Sequence, residues 1–352
     1  MQLPSSHALS KTSDSSLIRT LRGERVGPLP VWFMRQAGRS LPEYRELRKD
    51  NEMLDACLNP GLAAEITLQP VRRHNVDAGI FFSDIVVPLK LAGVEVEIKP
   101  GVGPVMENPV RSRADFQKLA SQADFSAIAE AVKLTVAELG NKPLIAFGGA
   151  PFTLASYLIE GGPSRDFPNS RALMAEDPEL WAEILNRCAE LTAEFISTQV
   201  VSGASALQVF DSWAGRLTSE EYSKFAFPHS LHLRSLLNFE FEGKTVPTIH
   251  FAVSASDHLS KIAELGFHVI GVDGETSLES VAKIFPGFPL QGNIQTEMLT
   301  RPWTEIKAHI DEVLQSGEHA PSHVLNLGHG VPKDTDPQIL TEIVSYVHEV
   351  SA

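Results

Sequence analysis

The stretch Val31–Arg48, VWFMRQAGRSLPEYRELR, sets four arginines directly behind an apolar run. A guanidinium is a planar fork that grips carboxylate or phosphate through two parallel hydrogen bonds, so arginines gathered at one place suit an anionic ligand. Arg35 and Arg39 lie four apart, and a helical turn after Met34 would put both on one face. The same spacing also fits ordinary surface pairing of Arg39 with Glu43 and of Arg45 with Glu46. A second chemical group stands at Asp84, where FFSD puts a carboxylate at the end of an apolar run. A carboxylate taken partly out of water needs cations or N–H donors facing it.

Eight short apolar runs position these groups: 28–34, 77–83, 143–148, 206–211, 246–252, 268–273, 288–292 and 323–328. Near-continuous apolar runs suit strands buried on both faces of a parallel sheet, and segments of helical period separate most of them. Eight alternating units predict a single-domain (β/α)8 TIM barrel, with active-site residues where strands end. The ends are polar: Arg35, Asp84, Asp211 with Ser212, a position near His250, Asp273, Asn293 and His329. Asp177-Pro178 opens one helix, Thr218 with Glu221 forms a capping box for another, and 337–350 carries Ile339, Leu340, Ile343, Val344 and Val347 on one face. Alternation through Val94–Ile98 ahead of Pro100-Gly101 predicts a rim hairpin near 94–106. Asp84 also fits a helix N-cap, against which stand Pro88 and the lack of a helical pattern after it.

Composition narrows the partners. Thirty basic and 44 acidic residues give a formal charge of −14, a field that disfavours nucleic acid and anionic lipid, so an anionic substrate needs a local basic pocket. No run of eighteen apolar residues predicts a membrane span, and the first sixteen residues, MQLPSSHALSKTSDSS, read as a disordered leader without a signal h-region, hence a cytoplasmic protein. Two cysteines are too few for a disulfide framework or a four-cysteine zinc site, and Cys188 falls on the apolar stripe Leu180, Ile184, Cys188, Leu191, Phe195. The first run ends in arginine rather than His-x-His, and His229 and His232 fall on a helix away from it, which argues against a metal-dependent hydrolase.

RQAGR followed by LPEYR, with LGHG near the C-terminus, resembles the uroporphyrinogen decarboxylase family, and the resemblance runs from about Leu21 to the end. It implies decarboxylation of the four acetate side chains of uroporphyrinogen III to give coproporphyrinogen III and CO2, a step of haem biosynthesis. It implies no cofactor and no metal, a homodimer, and a small-molecule substrate rather than nucleic acid or membrane. Carried over motif by motif, it makes Asp84, Arg35 and Arg39 catalytic and assigns substrate contacts to Arg35, Gln36, Ala37, Gly38, Arg39, Arg48, Asp84, Tyr157, Phe210, Ser212 and His329. Asp84 accepts the pyrrole N–H groups; Tyr157, Ser212 and His329 meet carboxylate side chains, and Phe210 is apolar wall. The pattern departs from the family's at Ser40, at Gly274 in GVDGE, at Gln295 in QGNIQT and in FAVSA. Two alternatives stay open: a non-catalytic tetrapyrrole carrier, which needs the arginines but not Asp84, and a zinc- or corrinoid-linked methyltransferase on the same scaffold, for which soft ligands are scarce.

Overall fold

The computed structural model describes residues 1–119 and 122–352. Among them are strands β1 (Gly79–Ile80), β2 (Val96–Lys99), β3 (Gly103–Met106), β4 (Leu144–Gly149), β5 (Ala206–Asp211), β6 (Glu240–Phe241), β7 (Lys244–Thr245), β8 (Thr248–Ala252), β9 (Val269–Gly271), β10 (Leu290–Gln291) and β11 (His323–Val324). Seven of these form one parallel sheet in the order β1-β4-β5-β8-β9-β10-β11. Every residue of β4 and β8 is buried, as expected of strands covered on both faces. The expected first strand, 28–34, is irregular but lies beside both edges of that sheet. Val31 bridges Leu325 in parallel, the Leu325 N–H donates to Pro30 at 3.0 Å, and the Asp77 N–H donates to the Val31 carbonyl at 2.8 Å.

Local rules account for the helices that carry the site. Helix Pro151–Glu160 starts on proline and ends at Gly161, whose φ of 83° supplies the left-handed cap. Asp177 caps helix Pro178–Val201 by accepting the Leu180 N–H at 2.9 Å, and Cys188 on that helix is 1% exposed. The Thr218–Glu221 capping box forms, and the last helix, Pro337–Val350, buries Leu340, Ile343, Val344 and Val347. β2 and β3 pair antiparallel as the rim hairpin.

Two expectations are corrected. Residues 1–16 are not a disordered leader: Leu9–Thr12 is helical, Leu9 is fully buried, the Leu3 N–H donates to Glu240, and the Thr12 and Ser205 hydroxyls meet at 2.8 Å. Leu3 and Leu9, sparse among polar residues, find apolar surface that only the folded chain offers. The segment after Met34 is not helical either. Arg35 has φ of 59°, a left-handed conformation that a right-handed helix cannot include, and the helix begins later, at Pro42–Leu47.

Candidate active site

Arg35 leaves the core on the fully or nearly fully buried Trp32, Phe33 and Met34. Its backbone conformation is one that non-glycine residues rarely adopt, and Gln36 helps hold it there. The Gln36 side chain, fully buried, accepts the Phe33 N–H and donates to the Ala78 carbonyl, both at 3.0 Å. That occupies the Gln36 side-chain amide within the protein, so the side chain positions the loop. Ala37 and Gly38 complete the turn half-buried, with the Leu41 N–H donating to the Gly38 carbonyl at 3.0 Å.

The arginines do not make the surface ion pairs that spacing allowed. Glu43 takes Arg73 through two bonds of 2.6 and 2.7 Å. Arg45 turns back to the carbonyls of Arg39 and Ser40 at 2.6 and 3.0 Å, bracing the loop. Arg35 and Arg39 are exposed and form no ion pair among the described residues. Arg48, half-buried at the end of helix Pro42–Leu47, keeps Nε and one terminal nitrogen buried with no hydrogen-bond partner. Buried donors without acceptors suit an incoming anion.

Asp84 follows β1 and is half-buried. Burial pushes its pKa above the usual carboxylate value, while the Val86 N–H at 3.1 Å and the positive charge of Arg35 oppose the rise. A short helix, Val87–Leu91, does follow, with Pro88 in its first turn, contrary to the reading that no helix starts there. Tyr157, on helix Pro151–Glu160, is raised to about 12 by burial and then by the Asp84 charge, with Arg35 opposing. His329 is lowered by burial and then by Arg35, with the Gly330 backbone and Asp273 acting the other way. Arg35 therefore lies close enough to Asp84, Tyr157 and His329, each on a separate segment, for its charge to bear on all three.

The wall is aromatic. Phe210, half-buried at the end of β5, meets Phe147 and Phe251 edge-on at 5.6 and 6.0 Å. Ser212, two residues on, is half-buried. The Arg39 and Ser212 side chains reach none of the other candidate groups through a hydrogen bond or ion pair among the described residues. Two features escaped the sequence reading. Trp213 lies against Tyr157 with ring centroids 4.0 Å apart, which the aromatic in FDSWAG could have signalled. At the end of β5, buried Asp211 accepts the Thr153 hydroxyl at 3.1 Å, and its second oxygen is 3.8 Å from His250 Nε2 on β8. Among the described residues no three His, Cys, Asp or Glu side chains gather in metal-binding geometry.

Arginines with free donors, a carboxylate and aromatic side chains at neighbouring strand ends suit a planar polyanion. Comparison with known proteins points the same way. Residues 12–350 match the family model described as uroporphyrinogen decarboxylase. A protein of Leifsonia xyli named uroporphyrinogen decarboxylase is 51% identical over 97% of this chain and 96% of its own length. One of an Arthrobacter species, with the same name, is 51% identical over 97% and 99%. Among solved structures, a methyltransferase from Methanosarcina mazei has a TM-score of 0.78 over 97% of this chain and 99% of its own, at 20% identity, a likeness of fold alone. On sequence over nearly its whole length, the chain belongs to the uroporphyrinogen decarboxylase family.

Proposed function

We propose that this chain decarboxylates the four acetate side chains of uroporphyrinogen III, releasing CO2 and leaving methyl groups, to give coproporphyrinogen III in haem biosynthesis. The reading is supported by the nearness of Arg35 to Asp84, close enough for the guanidinium charge to oppose the rise of the carboxyl's pKa. Loss of CO2 leaves an electron pair that needs a sink. A pyrrole protonated on its ring carbon is such a sink, so the substrate supplies its own electrophile and the protein supplies orientation and field.

Asp84 accepts the pyrrole N–H groups and stabilises the cation as it forms. Its shortage of protein donors favours this, since among the described residues only the Val86 N–H bonds its side chain. Arg35, Arg39 and Arg48 bind substrate carboxylates, as the buried unpartnered nitrogens of Arg48 support. Tyr157, Ser212 and His329 meet further carboxylates against the Phe210 wall. A guanidinium gives up its proton very reluctantly, so carboxylate binding ranks above proton donation for Arg35 and Arg39.

The reading extends to the whole molecule: the parallel sheet closes as a (β/α)8 barrel through residues 28–34, and two copies act as a cytoplasmic homodimer that binds neither nucleic acid nor membrane. Sedimentation at twice 38.4 kDa and cell fractionation check the last points. The activity is tested by incubating the purified chain anaerobically with the reduced octacarboxylate porphyrinogen, without added metal or cofactor, and separating the oxidised products. Hepta- through tetracarboxylate porphyrins are expected. Activity that appears only on adding zinc or a corrinoid would replace the reading with a methyltransferase one, and binding without CO2 release would favour a carrier.

A further inference from the structure

Arg35 is held from beneath by one residue. The Val331 N–H donates to the Met34 carbonyl at 2.8 Å, which lays the segment after β11 directly across the loop that carries Arg35. Gly330, next to Val331, has no left-handed φ, so its own backbone would accept a side chain. Space would not. A methyl group built on Gly330 would lie 2.5 Å from Arg35 Cδ, 2.8 Å from Cγ and 3.1 Å from Nε, and its three nearest neighbours are all atoms of that one side chain. Separations this short lie far inside van der Waals contact, so Arg35 would have to leave its rotamer. The backbone of Arg35 is already fixed at φ of 59° and braced by Gln36, so the loop itself has little room to accommodate the shift.

We propose that Gly330 is a positioning residue for Arg35: the bare Cα is the floor along which the arginine stem runs, and it sets where the guanidinium meets a substrate carboxylate. The second glycine of LGHG thus acts on the reaction through a side chain 295 positions earlier in the chain. The inference rests on the reading above that Arg35 grips a carboxylate.

A double-mutant cycle tests it, with uroporphyrin, the oxidised octacarboxylate, as the fluorescent ligand and KM and kcat measured on the reduced substrate. Gly330→Ala is expected to weaken uroporphyrin binding about tenfold and to raise KM more than it lowers kcat, because a guanidinium moved by about 1 Å loses a bidentate geometry made in ground and transition states alike. In the Arg35→Ala background the same change is expected to alter binding less than about twofold, since the added methyl then meets no arginine stem. Full loss in both backgrounds, or no loss in the wild-type background, would overturn the proposal. If Gly330→Ala alone fails to fold, the double variant is expected to fold, and a double variant that also fails counts against it. An Arg35→Ala variant that binds uroporphyrin as tightly as wild type would instead sink the carboxylate reading of Arg35 and the proposal with it.

Discussion

Asp84 is a carboxylate whose surroundings work against its charge until a cation arrives. The raised pKa follows from burial, and it sets the pH response: if the ionised form is required, kcat/KM is lost as pH falls through a pKa above the usual carboxylate value. Asp84→Asn is expected to keep porphyrin binding within about an order of magnitude while reducing kcat by roughly a hundredfold or more, as loss of a preorganised electrostatic group does. Unchanged turnover would remove Asp84 from the mechanism. Gln36 makes a contrasting prediction, because its amide serves the fold. Gln36→Ala leaves the Phe33 N–H and the Ala78 carbonyl without a partner in a buried place, a loss of about 1–3 kcal/mol per group, so urea unfolding is expected to report clear destabilisation.

Between elements, the polar group at the end of β5 ties together segments that carry candidate site residues. Asp211 ends the strand that carries Phe210, and its bond to Thr153 ties that strand to the helix bearing Tyr157 one turn further on. Burial pushes Asp211 up to about 7 and His250 down to about 4. The folded chain therefore holds the Asp211 proton between the ordinary carboxylate value and about 7, and the aspartate's contribution to stability falls as pH rises through that window. His250 works in the opposite sense: its contribution is lost as pH falls from about 6.5 toward about 4. Asp211→Asn keeps an acceptor for Thr153 and cannot ionise. It is expected to gain on the order of 1–3 kcal/mol over wild type at pH 8 and much less at pH 5, measured by denaturant titration at both. A loss at pH 8 would mean that the two side chains form a stabilising ion pair instead. The N-terminal segment yields the plainest packing prediction: Leu9→Ala, at a fully buried position, is expected to cost about 2–5 kcal/mol, whereas a disordered leader would lose nothing.

For the whole molecule, the contacts of residues 28–34 with both edges of the sheet decide whether the cleft has a rigid first wall. If this segment closes the sheet, the amide of Trp32, which donates to Leu325, and that of Asp77, which donates to Val31, are expected to exchange with solvent as slowly as those of the buried strands β4 and β5, through global opening. Faster exchange at Trp32 and Asp77 would leave the sheet open. Three buried side chains cross the interior in support: the Trp32 indole donates to Gln291 at 3.1 Å, and Gln291 donates to Gln208 at 2.8 Å.

Sequence by itself determined the layered α/β plan, the helix starts at Pro178 and Pro337, the rim hairpin and the buried Cys188. Each of these is written in local chemistry: apolar runs between helical periods, capping residues, alternation ahead of a Pro-Gly turn. It also placed Arg35, Asp84, Tyr157, Phe210, Ser212 and His329 at strand ends or in the segments after them, because a parallel α/β sheet brings those places to one mouth. What spacing could not reveal was the left-handed turn at Arg35, which no helical rule anticipates since neighbouring loops impose it. Nor could it show that Gln36 faces inward, or that residues 1–16 dock on the sheet's helices. Those outcomes depend on partners distant in sequence, Ala78, Glu240, Ser205 and Gly330 among them, and only the tertiary structure brings such atoms within reach.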